Sequence, residues 1–319
     1  MQVKILYHGR CFDGFSSAAV FARFARLHLG ARGPLRLQGL SHGAPVPIAP
    51  SVFDADLHAI VDFRYSAHPR LDWWFDHHQT AFITAEERAV YEVRHGARHY
   101  WDPRAASCAG YMARMLSEHH GFDAAPLAEL VRWVDLIDTA RFPDARTAVA
   151  LEAPALQLMT VLEHVEDGPL ADRIVAGLAE GDVEGTARLP EIQSRFRPLL
   201  AAQQRTITTL RDRMEHLGDV ILVDLTPDGA DVAYNRFAPY FLAPEATYVV
   251  SVLRTRDAAK IGVGTNPWRL EARRHDLAEL CRARGGGGHP VVGGVTFPAS
   301  AIHDAVGVAR ELAGLLASS

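Results

Sequence analysis

The sequence predicts an α/β protein whose N-terminal part is built on a mostly parallel sheet. Over about the first 80 residues, short apolar runs bounded by Pro, Gly, Asp or His alternate with segments of helical periodicity. Strand signals return only after Gly218, beyond a long helical stretch, and indicate a smaller second α/β region. The length of 319 residues exceeds that of most single domains, and the 48% hydrophobic content is sufficient for two cores.

The pattern of each segment gives the individual elements. The predicted strands are residues 3–7, 35–40, 59–61, 71–75, 220–224, 247–253 and 260–264. Helical spacing is found over residues 16–29, 107–137 and 151–214, and again from Asp276 and from Ala301. We therefore predict an N-terminal domain over residues 1–150, a helical connector over 151–215 and a C-terminal domain over 216–319.

Composition excludes several classes of partner. The three cysteines are scattered and form no Cys-x-x-Cys pair, which argues against a disulfide framework and against a thiolate zinc site. The net charge of −5 gives no basic surface of the kind that long duplex nucleic acid requires. The opening residues contain neither a signal sequence nor a membrane span, so we expect a cytoplasmic protein with no membrane partner. The oligomeric state is left open, with a homodimer as one option.

Acidic and imidazole side chains follow the predicted strands of the first domain. His8 and Asp13 come after the first strand and Asp62 after the third, and the run Asp76, His77 and His78 ends the fourth. The carboxyl ends of parallel strands meet at one crevice, which is where such sheets bind ligands. Carboxylates and imidazoles without thiolates favour two divalent cations, with Mn²⁺ first and Mg²⁺ or Co²⁺ as alternatives. Two such ions roughly 3.5 to 4 Å apart can activate water for attack on a phosphate.

Five segments together resemble the motifs of the DHH superfamily of phosphoesterases. They are FDHH at 75–78, HGRCFDGFSSA at 8–18, IVDF at 60–63, VDLIDTARF at 134–142 and GGGGHPVVGG at 285–294. The last is similar to the Gly-Gly-Gly-His motif of the DHH-associated C-terminal domain, as in the branch of nano-RNases and cyclic-nucleotide phosphodiesterases. The resemblance spans residues 8–294 and implies two α/β domains with the active site in the cleft between them.

The same resemblance implies a role for each matching residue. His8, Asp13, Asp62 and His77 would be metal ligands, with Asp62 bridging the two ions. Asp76 would orient a histidine, and His78 would face the substrate phosphate or the leaving oxygen as a catalytic group. The fourth motif supplies one further aspartate ligand, for which both Asp135 and Asp138 are candidates.

The opening motif departs from the pattern of many family members. Those members have His-x-x-x-Asp-x-Asp, whereas this chain has Phe12 four residues after His8 and Asp13 five residues after it. One carboxylate is therefore missing, although Cys11 lies nearby. The first metal position is expected to bind its ion less tightly as a result.

In the C-terminal domain the glycine run predicts a phosphate contact. Gly286, Gly287 and Gly288 would let backbone N–H groups approach a phosphate closely, and His289 would add a charge-assisted contact. Arg254 is a candidate second anchor, because its guanidinium can bind two oxygens at once. A plain flexible turn is the alternative interpretation of the glycines.

The sequence thus predicts a phosphodiesterase acting on short oligonucleotides, linear dinucleotides or cyclic nucleotides. Two alternatives stay open: an exonuclease on single-stranded DNA, and a nucleotide-binding regulatory protein with weak or no catalysis. The missing carboxylate near Asp13 motivates the second alternative.

Overall fold

The computed structural model describes residues 1–41, 48–229, 232 and 234–318. The chain divides into two compact units, the first comprising Met1–Arg141 and Glu152–Phe196 and the second Phe142–Leu151 and Arg197–Ser319. These units interleave along the chain. The functional division into residues 1–150, 151–215 and 216–319 stays a prediction.

Eleven strands form two sheets within the described residues. The strands of the first unit are β1 Val3–His8, β2 Arg36–Leu40, β3 Leu57–Val61, β4 Trp73–Asp76 and β5 His99–Trp101. Those of the second unit are β6 Glu215–Leu217, β7 Val220–Asp224, β8 Tyr248–Arg254, β9 Ala258–Thr265, β10 Gly287–His289 and β11 Val292–Pro298.

Twelve α-helices connect and cover these strands in the described part of the chain. They are α1 Phe12–His28, α2 Ala85–Arg94, α3 Cys108–His120, α4 Ala128–Asp138, α5 Ala145–Ala150, α6 Pro154–Leu162, α7 Pro169–Ala179, α8 Val183–Ala187, α9 Pro190–Arg213, α10 Ala238–Leu242, α11 Leu277–Arg282 and α12 Ile302–Ala317. None of the described helices combines the length and the apolar composition needed to cross a bilayer.

The sheet of the first unit is parallel throughout, as predicted. Its strand order is β2-β1-β3-β4-β5, with β1 paired in parallel to β2 on one side and to β3 on the other. The chain leaves β1 through α1 toward β2 and later returns to the opposite side of β1. The direction of winding therefore reverses between β1 and β3, and a crevice opens at their carboxyl ends.

Aromatic side chains pack on both faces of this sheet. Trp73 and Trp74 are 2% and 0% exposed, which places both indoles in the core. The Trp74 Nε1–H donates a hydrogen bond of 2.8 Å to the Phe63 carbonyl oxygen, so its polar atom is satisfied where it is buried. Helix α1 packs against β1, α3 and α7, and the small residues from Ser16 to Ala19 allow this close packing.

The second unit contains a mixed sheet with the order β10-β11-β9-β8-β7-β6. Only β7 and β8 pair in parallel among its described strands, and the other neighbours are antiparallel. Aliphatic residues of β7, β8 and β9 pack against α11 and α12 to form one core, which includes Val250, Ile261 and Leu312.

The structure differs from the predicted pattern in several elements. Among those that were not predicted are strand β5, which has only three residues, and helix α2, in which five of the ten residues are charged. Helix α2 is marked instead by a capping box, in which the Thr84 hydroxyl accepts from the Glu87 N–H at 3.1 Å. Gly287 and Gly288 of the glycine run lie in strand β10, which forms a hairpin with β11.

His99 in β5 provides a test of the packing at the edge of the first sheet. Burial, together with the nearby Arg94 cation, lowers the pKa of His99 to about 4, and the Tyr65 hydroxyl lies 2.9 Å from its Nδ1. Protonation of His99 is therefore less favourable in the folded chain than in the unfolded chain, where the pKa is about 6.5. Neutral His99 therefore does not reduce the stability of the folded chain above pH 6.5, whereas the free energy of unfolding decreases as the pH falls from 6.5 toward 4.

We predict that His99→Gln flattens the pH dependence of stability. Between pH 7 and pH 5 the wild type should lose about 2 kcal/mol more of its free energy of unfolding than the variant does. Urea unfolding followed by tryptophan fluorescence measures this, since four of the five tryptophans lie in the first unit. His95→Gln, at an exposed histidine next to the same strand, is the control. Equal pH dependence in wild type and His99→Gln would contradict the prediction.

Candidate metal centre

Predicted site residues lie where three parallel strands end. His8 is the last residue of β1, Asp62 directly follows β3, and Asp76 is the last residue of β4. His77 and His78 continue the chain beyond β4. Their side chains meet at the switch point between β1 and β3, the position at which sheets of this topology bind ligands.

Asp62 is a deeply buried acid whose two oxygens lie near imidazole nitrogens without forming hydrogen bonds to them. It is 1% exposed, and neither carboxylate oxygen accepts a hydrogen bond from a described residue. Its Oδ2 lies 3.4 Å from His8 Nδ1 and its Oδ1 lies 3.5 Å from His77 Nε2. The backbone is held in the left-handed region at φ 56°, an arrangement that is common at functional sites.

His77 presents one defined nitrogen to three acids. Its Nδ1 donates to the Ala105 carbonyl oxygen at 3.2 Å, which leaves Nε2 to face the cluster. From Nε2 the distances are 3.5 Å to Asp13 Oδ2, 3.5 Å to Asp62 Oδ1 and 3.6 Å to Asp138 Oδ2. Three carboxylates around one imidazole nitrogen form a set of oxygen and nitrogen donors that suits a divalent cation.

Asp13 is oriented by the N-terminus of helix α3. Its Oδ2 accepts from the Cys108 N–H at 2.6 Å and its Oδ1 from the Ala109 N–H at 2.9 Å, while the Ser17 hydroxyl donates at 3.2 Å. Backbone N–H groups and the helix dipole both favour a negative charge there. The adjacent Gly14 lets α1 start against β1, since a Cβ at this position would lie 1.9 Å from the His8 carbonyl oxygen.

Asp76 does not join the ligand atoms but holds His78. Its Oδ1 accepts from the N–H of His77 at 2.8 Å and from the N–H of His78 at 3.2 Å, and lies 2.7 Å from His78 Nδ1. This hydrogen bond raises the pKa of His78. Asp76 therefore fixes the orientation of the His78 ring through Nδ1.

The two candidates from the fourth motif have different surroundings. Asp138, at the end of α4, faces His77. Asp135 instead accepts a 2.5 Å hydrogen bond from the Ser107 hydroxyl, and Ser107 caps the helix whose N–H groups hold Asp13. The geometry favours Asp138 as the ligand and gives Asp135 a supporting contact.

Burial and mutual repulsion make the acids of this cluster harder to ionise than free carboxylic acids. Burial and then the surrounding carboxylates, Asp13 foremost, raise the pKa of Asp62 well above its ordinary value. Burial and Asp13 raise the pKa of Asp138 to about 6. Burial also raises the pKa of Asp13, although His77 opposes the shift. Concentrated buried negative charge of this kind is costly unless a cation or a proton neutralises it.

The side chains fit divalent cations in three overlapping groups. Within each group the ligand atoms lie within 4.8 Å of one another, and the groups are His8-Cys11-Asp62, Asp62-His77-His78 and Asp13-His77-Asp138. Donors bonded at about 2.1 Å to one ion lie about 3.0 to 3.4 Å apart, slightly closer than the separations around Asp62 and His77. Cys11 was not among the predicted ligands. The only signal for it in the sequence is its position beside the missing carboxylate.

The predicted phosphate contacts lie in the second unit, at two ends of its sheet. Strand pairing places Arg254 opposite Ala259, whereas His289 is opposite Val292, which in turn is opposite Gly264. Five residues of β9 separate these two levels, or about 17 Å along the strand. The structure therefore does not bring Arg254 and His289 together.

The glycine hairpin has packing reasons for its composition. A Cβ at Gly286 would lie 2.1 Å from the Gly294 carbonyl oxygen, and one at Gly288, where φ is 147°, would lie 2.2 Å from the Val292 carbonyl oxygen. Gly287 has open space around it, so it is the glycine that a ligand can approach. Arg273, which no sequence pattern indicated, donates to the Pro290 carbonyl oxygen at 3.2 Å beside this turn.

Solved structures share this architecture. A pGpG-specific phosphodiesterase, PggH from Vibrio cholerae, matches 100% of this chain and 99% of its own, with 18% identity and a TM-score of 0.68. A DHH-domain member of the s1p family of ribosomal proteins matches 99% of this chain and 87% of its own, with 12% identity and a TM-score of 0.55. The chain has the DHH fold. The resemblance predicted from the motifs is thus confirmed at the level of the fold.

A third structure with this fold is a RecJ protein with bound metal. RecJ from Thermus thermophilus, in complex with Mn²⁺, matches 98% of this chain at 13% identity and a TM-score of 0.51. The chain covers 52% of that RecJ chain. No protein-family model and no curated protein matches the sequence.

The different surroundings of Asp135 and Asp138 predict different defects. Asp138→Asn should weaken Mn²⁺ binding by at least about tenfold without lowering the stability of the metal-free protein, because it removes one charge from a crowded set of acids. Asp135→Asn should instead cost about 1 to 3 kcal/mol of unfolding free energy, since the Ser107 hydroxyl loses a charged acceptor. Calorimetric Mn²⁺ titration and urea unfolding of the metal-free variants measure the two effects. A larger loss of Mn²⁺ affinity in Asp135→Asn than in Asp138→Asn would reverse the assignment.

Proposed function

We propose that this protein is a metal-dependent phosphodiesterase that hydrolyses short oligonucleotides, linear dinucleotides or cyclic nucleotides. The observation that carries the proposal is the buried Asp62 carboxylate, whose two oxygens lack hydrogen bonds from described residues but face His8 and His77 at strand ends. A site of this charge fits cations better than it fits any neutral ligand. The DHH fold supports the reaction class, since PggH and RecJ have the same architecture.

Two groups of residues would hold the ions, with Asp62 between them. His8 and Asp62 belong to one group, and Asp13, His77 and Asp138 to the other, while Asp62 also shares a group with His77. Divalent cations bound there supply an activated water and stabilise charge on the phosphate. RecJ structures hold Mn²⁺ or Mg²⁺, and we propose Mn²⁺ first for this chain.

The chain's own side chains orient the reacting groups. Ala105 fixes the ring of His77 through Nδ1, so that Nε2 points at the acids. Asp76 holds His78 and raises its pKa, which keeps His78 protonated closer to neutral pH. With Nδ1 engaged, the Nε2–H of His78 is placed to stabilise a phosphate oxygen or to donate its proton to the leaving oxygen.

Several observations support a short substrate. PggH is described as specific for pGpG, and this chain matches it over the full length of both proteins. The net charge of −5 disfavours long duplexes, whose binding depends on many phosphate contacts. We propose that His289 and Gly287 of the second unit bind a phosphate remote from the scissile bond.

A panel of substrates tests the proposed function. It contains linear dinucleotides, cyclic mono- and dinucleotides, adenosine 3′,5′-bisphosphate, pyrophosphate and short single-stranded DNA, each with Mn²⁺, Mg²⁺ or EDTA. We expect cation-dependent turnover of dinucleotides or short oligoribonucleotides. Preference for single-stranded DNA would favour an exonuclease, and nucleotide affinity without turnover would favour a binding protein.

We predict that His77→Ala and Asp62→Asn each reduce turnover by several orders of magnitude, because each removes a ligand on which water activation depends. His216→Ala, at an exposed histidine of β6, is the control and should retain the wild-type rate. The measurement is kcat/KM on the best substrate, with metal content determined for every variant. A near-wild-type rate and unchanged metal content in Asp62→Asn would rule out the proposed metal centre.

We predict a substrate-selective defect for His289→Ala. It should reduce hydrolysis of a dinucleotide strongly while sparing bis(p-nitrophenyl) phosphate, which has no second phosphate to engage. Arg254→Ala should not reproduce this selectivity, because the strand register places Arg254 away from His289. The measurement is kcat/KM of each variant on both substrates, and circular dichroism confirms that each variant is folded. Equal fractional losses on both substrates in His289→Ala would contradict the proposed remote contact.

A further inference from the structure

The opening motif lacks one carboxylate, but a thiol lies close to where that carboxylate is missing. Cys11 lies three residues after His8, and the structure places its sulfur in one group with a nitrogen of His8 and an oxygen of Asp62. The three ligand atoms lie within 4.8 Å of one another. The thiol therefore occupies the side of the cluster where the sequence predicts a weakened metal position.

The backbone aims Cys11 into this group. Arg10, immediately before it, adopts a left-handed conformation with φ 60°, so the chain turns sharply after β1. Cys11 is then the N-cap of α1, a helix of 17 residues, and it is partly exposed. A cation that binds in this group would displace the thiol proton and take the thiolate as its ligand.

A second observation concerns the buried carboxylate of this group. Asp62 is 1% exposed, and both of its oxygens lack hydrogen bonds from described residues although Oδ2 lies 3.4 Å from His8 Nδ1. A cation bound between Asp62 and His8 would offset the cost of burying this carboxylate. The thiol of Cys11 stands beside it as the third donor.

We propose that Cys11 is a thiolate ligand of the cation held by His8 and Asp62, and that it makes this position selective for Mn²⁺, Co²⁺ or Zn²⁺ over Mg²⁺. The inference rests on the proposed function only in so far as both need a metal at Asp62. Binding releases the thiol proton to the buffer and forms the sulfur–metal bond, with no change of oxidation state. The Asp13-His77-Asp138 group contains only oxygen and imidazole donors, so Mg²⁺ is tolerated better there.

The other two cysteines serve as internal controls. Cys108 is fully buried, and its thiol donates to the Phe75 carbonyl oxygen at 3.4 Å. Cys281 is fully buried in the second unit. Neither belongs to one of the groups of possible ligands among the described residues.

Cobalt spectroscopy on the full chain tests the proposal. A thiolate bound to Co²⁺ produces an intense near-ultraviolet charge-transfer absorption, which carboxylate and imidazole ligands do not. Metal-free protein is titrated with Co²⁺ without competing thiols, and bound cobalt is measured by elemental analysis. We expect the band in the wild type and in Cys281→Ala, and its loss in Cys11→Ser. Thermal unfolding of the metal-free variants confirms that each folds.

A second variant tests the selectivity. Cys11→Asp restores a carboxylate, so it should also lack the charge-transfer band while binding Mg²⁺ at least about tenfold more tightly than the wild type. Unchanged Mg²⁺ affinity in Cys11→Asp would refute the proposal that Cys11 makes this position selective against Mg²⁺.

The outcomes separate this inference from the proposed function. If the wild type binds Co²⁺ and loses it in Asp62→Asn but shows no charge-transfer band, Cys11 is not a ligand and the phosphodiesterase proposal stands. A band that persists in Cys11→Ser likewise refutes the role of Cys11. If the wild type binds no cobalt at all, both proposals fail.

Discussion

The arrangement of the first unit depends on negative charge that is buried without compensation. Asp62 lies at a switch point of a parallel sheet, is 1% exposed and has no hydrogen-bond donor for either oxygen among the described residues. Asp13 and Asp138 face the same histidine nitrogen at 3.5 and 3.6 Å. Such a cluster would be excluded from a core selected only for stability. Its retention is understandable if cations complete it.

The surrounding hydrogen bonds fix the orientation of the side chains in this cluster. The N-terminus of α3 binds Asp13, the Ala105 carbonyl oxygen fixes His77, and Asp76 holds His78. Each contact satisfies the outward side of a functional group and leaves its inner atom for a ligand. Ser107 and Asp135 add a further layer, since they anchor the helix that holds Asp13. Acids of the same motif can therefore have different tasks.

Close backbone packing explains part of the glycine motif in the second unit. Gly286 and Gly288 are required by close approach of the β11 backbone, while Gly287 faces open space. The turn that follows is exposed and has Arg273 beside Pro290. Arg254 belongs to the far end of the same sheet, because strand register fixes its distance from the turn. A resemblance of motifs along the chain could not reveal that separation.

The sequence by itself determined the fold class, most elements and the side chains that gather at the strand ends. Apolar runs and helical spacing suffice for that, since strand ends of a parallel sheet converge regardless of packing detail. The tertiary structure alone decided between contacts that the sequence leaves equivalent. Asp135 and Asp138 are one helical turn apart, and only packing against Ser107 or His77 distinguishes them. Strand β5 pairs with β4, which lies far from it in the sequence, so the local pattern could not predict it. Cys11 became a candidate ligand only when folding brought it beside Asp62, because proximity across strands is not encoded in local spacing.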